Sequence, residues 1–396
     1  MKLRILQIFN RYLEYGGEEG SVYRIGDALQ ELHDVEYFLS STKDFLKAGK
    51  IGKIAAGIEA WHNWEAAARL DRYQKIGRFD AWQIHNVFPA LSPSVYRKAF
   101  QLGVPIVHYL HNYRLSCTNG FFLNHGKPCQ RCIGGNFLPA LETACWRDSH
   151  LFSGYMGAIL HQVRSLNLFE KTFAWIALSE AQKTLHVKMG IPEGNIHVIP
   201  HFFQPADEPL APNPKGDVLF VGRLSAEKGV LMLLEAWKLA DSKGRDLVIM
   251  GDGPERKPLE QYIEKHRVPN VRFTGFLNRE KQRSVIEKSA FMVTPSIWEE
   301  PFGMVVLESW SNTRPVVATR IGALEELITP DKTGLLAEKG DAEDLARQIS
   351  SLIAQPDKVL EMGLAGLAEL QLKYTKDLWK NRIDTVYSKI RVHATS

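Results

Sequence analysis

The chain has 396 residues, 49 basic against 45 acidic side chains for a net charge of +4, 45% hydrophobic and 24% charged residues. That length holds two domains of ordinary size, and the balance excludes a largely disordered chain. So small a positive excess also argues against bulk nucleic-acid binding. It is unevenly spread: residues 1–200 carry 22 basic against 17 acidic residues and ten of the 13 histidines, a distribution that suits one half resting on an anionic surface.

In chain order, the apolar stretch after Lys2 and Arg4 is too short for a signal peptide, and no run approaches the roughly 18 residues of a spanning helix. A cytoplasmic protein is expected. Strand-like runs follow at Arg4 to Phe9, Val35 to Ser40, Ala81 to Ile84 and Val104 to Leu110, with helical patterns between several of them. The loop after the first strand carries Gly16 and Gly17 ahead of a helix starting near Gly20, where paired glycines let a ligand approach the backbone and helix amides can meet an anion. A tight turn is the plainer reading of the same glycines. The spacing is not GxGxxG, and Gly251-Asp252-Gly253 runs on into Pro-Glu-Arg, so dinucleotide oxidoreduction loses its main support.

The stretch Lys43 to Trp64 mixes Lys43, Lys47, Lys50 and Lys53 with Phe45, Leu46, Ile51, Ile54, Ile58 and Trp61. It reads either as a solvated helix packed on a core or as a peripheral contact with an anionic membrane carrying a lipid-linked acceptor. All four cysteines lie between Cys117 and Cys145, with Cys129 and Cys132 as a close pair. Such a set can close a tetrahedral structural zinc site or remain free thiols; with few cations nearby and one motif copy, a zinc module for nucleic acid is the weaker alternative.

Five prolines between residues 200 and 214 mark a linker. Beyond it, DVLFVGRL from Asp217, DLVIMGDGP, VRFTGF, AFMVTPS and PVVATRIG alternate with helices starting at Gly229, Glu255, Arg279 and Gly303. Continuous buried strands spaced by helices mean a parallel, doubly wound sheet. The organisation expected is an α/β protein with a Rossmann-like domain over 1–203 carrying a cysteine insertion at 112–150, a linker at 204–216, a second Rossmann-like domain over 217–374, and a last helix at 375–396 crossing back to the first domain.

The second domain places Arg223 and Lys228 in its first strand-to-helix loop, where two cations suit a diphosphate, although ordinary surface charges are the plainer reading. Glu300 stands just before Phe302-Gly303, and Glu308 lies eight residues on, in the helix that Gly303 starts. Amides from Gly303 through Met304 to Val305 can hold a phosphate, while carboxylates beside them accept sugar hydroxyls. An anion site flanked by carboxylates fits a nucleotide sugar.

With these pieces in order, the chain resembles a retaining glycosyltransferase of family 4, of the GT-B fold with two Rossmann-like domains facing across a cleft, in its cysteine-bearing subgroup. The match takes in the GG loop, HNYR at 111–114, ALSEAQKTL at 177–185, IHVIPHFF at 196–203, GRLSAEKG at 222–229, GDGP at 251–254, FTGF at 273–276, the Glu300/Glu308 pair and GLLAEKGD at 334–341. The resemblance implies that Arg223 and Lys228 neutralise the donor diphosphate, Glu308 binds ribose hydroxyls, Glu300 sits against the transferred sugar, and His111 lies near sugar and acceptor. Gly16, Gly17, Gly222, Gly251, Phe276 and Phe302 complete the donor-binding set it implies. Where the family usually has Cys-Gly, a second glycine and an asparagine, this chain has Asn312-Thr313, Ala323 and His201.

The resemblance implies transfer from a UDP- or GDP-sugar to a hydroxyl of a glycan or lipid-linked glycan, in surface polysaccharide assembly. A donor phosphate oxygen would take the acceptor proton, and catalysis would be mostly positioning and charge stabilisation. No D-x-D triplet occurs, so no cofactor is expected for catalysis, and zinc only in a structural place. A GT-B nucleotide-sugar epimerase and an inactive nucleotide-sugar-binding subunit are the alternatives.

Overall fold

The computed structural model describes residues 2–13, 16–45, 49–205 and 208–393, with the backbone alone for 49–54 and 392–393. The chain divides into two compact units: Met1–Phe121, Gln130–Pro200 and Asp377–Ser396 in one, Phe122–Cys129 and His201–Lys376 in the other.

In the first unit the strands are β1 (Arg4–Arg11), β2 (Asp34–Ser41), β3 (Ala81–Ile84) and β4 (Ile106–Tyr109). A short ribbon follows, β5 (Leu123–Asn124) and β6 (Lys127–Pro128), and then β7 (Ala174–Ala177) and β8 (Ile196–Val198). The unit's sheet runs β2-β1-β3-β4-β7-β8 with all neighbours parallel. Strands β3, β4 and β7 are buried at every residue, as helices on both faces of a parallel sheet require. Trp82 and Trp175 are fully enclosed, each contributing on the order of 3 kcal/mol through area removed from water. The ribbon β5–β6, read from the sequence within an insertion of the first domain, groups instead with the second unit and closes on itself by the Cys129 N–H to Phe122 carbonyl bond of 2.7 Å.

The second unit holds β9 (Asp217–Val221), β10 (Leu247–Met250), β11 (Val271–Gly275), β12 (Ser289–Thr294), β13 (Val316–Thr319) and β14 (Gly334–Ala337). Its order is β11-β10-β9-β12-β13-β14, parallel throughout. The order reverses between β9 and β12, which opens a crevice at their carboxyl ends. Helices start where short polar side chains can cap them: Asn278 Oδ1 accepts from Lys281 N–H at 3.0 Å and Asp341 Oδ1 from Asp344 N–H at 2.9 Å.

The last helix, Lys376–His393, lies almost wholly in the first unit. Trp379 Nε1 donates to the Tyr109 hydroxyl at 2.9 Å, and the Tyr387 hydroxyl donates to Gln83 Oε1 at 2.6 Å.

Candidate functional site

The crevice of the second unit is built from the loops after β9 and β12. The first carries Gly222 and an exposed Arg223, then a single turn Ala226–Lys228 ended by Gly229 in the left-handed region, φ 69°. A Cβ on Gly229 would stand 1.9 Å from the Pro295 carbonyl oxygen, so glycine is required for the two loops to meet. The meeting point is an ion pair: Lys228 Nζ donates to Glu300 Oε1 at 3.1 Å and Oε2 at 3.0 Å. Glu300 is 7% exposed, and its Oε2 also accepts from Ser296 Oγ and Trp298 Nε1, each at 2.9 Å. Four hydrogen bonds from three donors satisfy this buried carboxylate, and the Lys228 ammonium lies over the Trp298 ring at 5.4 Å.

The Glu300 backbone is fixed as well. Its carbonyl accepts from Ala323 N–H at 2.9 Å, and Gly322, at φ 53°, brings its Cα so close that a Cβ would lie 2.6 Å from that oxygen. Gly303 caps the helix Met304–Ser311 at φ 102°, leaving the amides of Met304 and Val305 at a helix N-terminus. Phe302 is buried edge-on against His201, ring centres 5.4 Å apart. Glu308 is half-buried on that helix, and Phe276, after β11, is 80% exposed. Gly251, at φ 143°, packs so tightly that a Cβ would stand 1.8 Å from the Gly222 carbonyl oxygen. The structure thus brings Lys228 and Glu300 into direct contact and adds Ser296 and Trp298, which the sequence reading missed; Trp298, two residues from Glu300, was the available signal.

In the first unit Gly16 and Gly17 start the helix Gly17–Gln30, and a Cβ on either would meet nothing within 4 Å. Open space, not crowding by the protein, surrounds them. Beside them Glu18 Oε2 accepts from the Tyr12 hydroxyl at 3.0 Å and Asn112 Nδ2 at 3.3 Å. Burial pushes the Glu18 carboxyl up to about 7, against the pull of those bonds and of Arg114. His111, just past β4, pairs through Nε2 with His85 Nδ1 at 2.8 Å, and burial pushes its imidazolium down to about 3, so the ring is neutral. Glu18 and His85 were not singled out from the sequence.

Cys117, Cys129, Cys132 and Cys145 form no disulfide. Among the described residues no three His, Cys, Asp or Glu side chains are grouped to hold a metal ion. Cys117 Sγ instead donates to Asn119 Oδ1 at 3.0 Å, and Asn119 Nδ2 donates to Cys145 Sγ at 3.3 Å, so one amide serves two thiols. Of the basic stretch, Leu46 and Lys47 and the side chains of Lys50, Ile51, Lys53 and Ile54 lie outside the described residues; Ile58, Trp61 and Trp64 are exposed. No helix among the described residues is long and apolar enough to cross a membrane.

Comparison with known proteins adds to this geometry. The family model for glycosyltransferase family 4 matches residues 15–206, and that for glycosyl transferases group 1 matches residues 205–367. An uncharacterized glycosyltransferase of Methanocaldococcus jannaschii is 32% identical over 172 residues, 43% of this chain and 48% of that protein. The alpha-D-kanosaminyltransferase of Streptomyces kanamyceticus is 32% identical over 176 residues, 44% of this chain and 45% of that protein. The match thus spans about half the length of these curated relatives. Among solved structures, Anabaena HepE in complex with UDP superposes with a TM-score of 0.70 at 19% identity, over 98% of this chain and 100% of that one.

Proposed function

This chain belongs to the family 4 glycosyltransferases, with the GT-B fold, and from that premise we propose that it moves a sugar from a UDP- or GDP-sugar to a hydroxyl of a glycan or lipid-linked glycan, with retention and without a catalytic metal. The observation that carries the donor half is the Lys228–Glu300 pair at the reversal of strand order in the second sheet. A cation held there by a satisfied carboxylate faces the place where open α/β sheets take phosphorylated ligands. Arg223 and Lys228 would neutralise the departing diphosphate together with the Met304 and Val305 amides, so that charge developing in the transition state meets groups already in place. Glu308 would take ribose hydroxyls, and Glu300 would orient Lys228 while presenting its backbone to the sugar.

The state of His111 supports the retaining reading. An imidazole whose conjugate acid lies near 3 is too weak a base to take a hydroxyl proton at neutral pH. In the retaining reading a donor phosphate oxygen, on the same face as the leaving group, takes that proton. Anabaena HepE has also been solved with UDP-glucose, and a relative in Rhizobium meliloti, 34% identical over 151 residues, is a lipopolysaccharide core biosynthesis glycosyltransferase; the first supports a nucleotide-sugar donor and the second a role in surface glycans.

The experiment is calorimetry and thermal shift against UDP, GDP, their sugar conjugates and NAD, with and without EDTA. One nucleoside diphosphate should stabilise the chain regardless of EDTA; at a hundredfold excess over Kd the gain is about 2.7 kcal/mol. Response to NAD alone, or to none of them, removes the reading. For the membrane contact, co-sedimentation with anionic vesicles at low salt should carry the chain down, and its absence there removes that part.

A further inference from the structure

Two glutamines interrupt apolar strands: Gln7 in β1 and Gln83 in β3, direct register partners and both fully buried. A buried amide must place every group it can, and here the placement can be followed atom by atom. Gln7 Nε2 lies 2.7 Å from the Val22 carbonyl oxygen. A carbonyl only accepts, so the orientation of this amide is fixed, and Gln7 Oε1 faces Gln83. An oxygen there needs a donor, which makes the Gln83 atom 3.1 Å away its Nε2. The other end, Gln83 Oε1, receives the Tyr387 hydroxyl at 2.6 Å.

The second hydrogen of Gln83 Nε2 meets His85 Nε2 at 3.0 Å. That ring nitrogen must therefore offer a lone pair, and a neutral His85 carries its proton on Nδ1. Nδ1 is 2.8 Å from His111 Nε2, which in turn accepts. The two rings are 5.1 Å apart between centres and tilted by 23°, the geometry of a nearly in-plane N–H···N bond and not of stacking. With Nε2 accepting, the proton of neutral His111 sits on Nδ1.

We propose that Gln7, Gln83 and His85 form a tautomer relay, anchored on the Val22 carbonyl, that holds His111 in its Nδ1–H form so that it meets a substrate oxygen as a neutral hydrogen-bond donor. The proposal rests on the reading that places His111 at the reaction; His85, Gln83 and Gln7 are positioning residues, acting only through it. Free histidine in water favours the Nε2–H form, so the relay imposes the less common tautomer.

The test is a two-bond proton–nitrogen correlation spectrum of the full chain labelled with 15N-histidine at pH 7, with His111 assigned by its loss in His111→Asn. The expected result is a protonated Nδ1 and a bare Nε2 on His111; a protonated Nε2 overturns the relay. His85→Phe supplies the inverse. It removes the donor to His111 Nε2, so His111 should turn toward the Nε2–H form that free histidine prefers. Transfer should then fall roughly 10²-fold in kcat with little change in donor KM. A folded His85→Phe chain in which the His111 tautomer is unmoved overturns the relay, and a moved tautomer with unchanged kcat overturns its role in transfer. Should that variant fail to fold, the wild-type spectrum still decides, because it needs neither variant nor substrate and stands apart from whether the chain transfers sugar.

Discussion

At the scale of single residues, the chemistry of the second unit turns on how one carboxylate is spent. Glu300 has three donors, and removing Lys228 leaves it with Ser296 and Trp298. Lys228→Ala should cost about 2 kcal/mol in urea unfolding, the usual worth of a bond to a charged group, while kcat/KM falls roughly 10²-fold or more. Unchanged turnover in both Lys228→Ala and Glu308→Ala would remove the donor-site assignment. Glu18 gives the pH dependence. Its carboxyl is raised from 4.5 to about 7 by burial, so the folded chain holds its proton more tightly than the unfolded one. The stabilisation is complete below the unfolded value and is lost as pH rises through about 7. Glu18→Gln should therefore match wild type in unfolding free energy near pH 3.5 and exceed it at pH 8, by at most about 3 kcal/mol.

At the scale of elements, glycines in the left-handed region set how closely loops approach. Gly229→Ala would drive a Cβ into the Pro295 carbonyl, separating the β9 loop from the β12 loop, with a destabilisation of about 2–4 kcal/mol expected. Thermal unfolding together with nucleotide affinity measures it, and both should fall. Thr313 shows the opposite case: it holds φ 55°, a conformation unfavourable for a β-branched residue, where the family usually has glycine. Its hydroxyl donates to the Leu210 carbonyl at 2.7 Å, a bond glycine could not make. Strands β9 to β13 of the second sheet were legible because each is a mostly apolar run between turn residues and helical patterns. Strands β7, β8 and β14 were not, since runs as short as these carry no period of their own that separates them from a loop or a helix end.

At the scale of the whole molecule, the last helix closes the first unit. Trp379, Ile383, Val386, Tyr387 and Ile390 are all buried, and Trp379 and Tyr387 complete hydrogen bonds of Tyr109 and Gln83. Trp379→Ala should cost about 3–5 kcal/mol, the usual cost of the cavity left by a buried aromatic side chain. Chemical denaturation reads it, and the loss should appear in the transition of the first unit. Nucleotide binding at the Lys228–Glu300 crevice should survive at temperatures where the second unit is still folded.

What the amino-acid order determined alone was the fold class, because hydrophobic period and motif spacing are local properties of the chain. The three donors on Glu300, the raised Glu18 carboxyl and the path from Val22 through Gln7, Gln83 and His85 to His111 were decided by tertiary structure. Each depends on groups far apart in sequence sharing one buried site: Gln83 and Tyr387 are 304 residues apart, and Lys228 and Glu300 are 72 apart. A polar atom's role is set by which partner remains once water is excluded, and that selection exists only when the chain has folded.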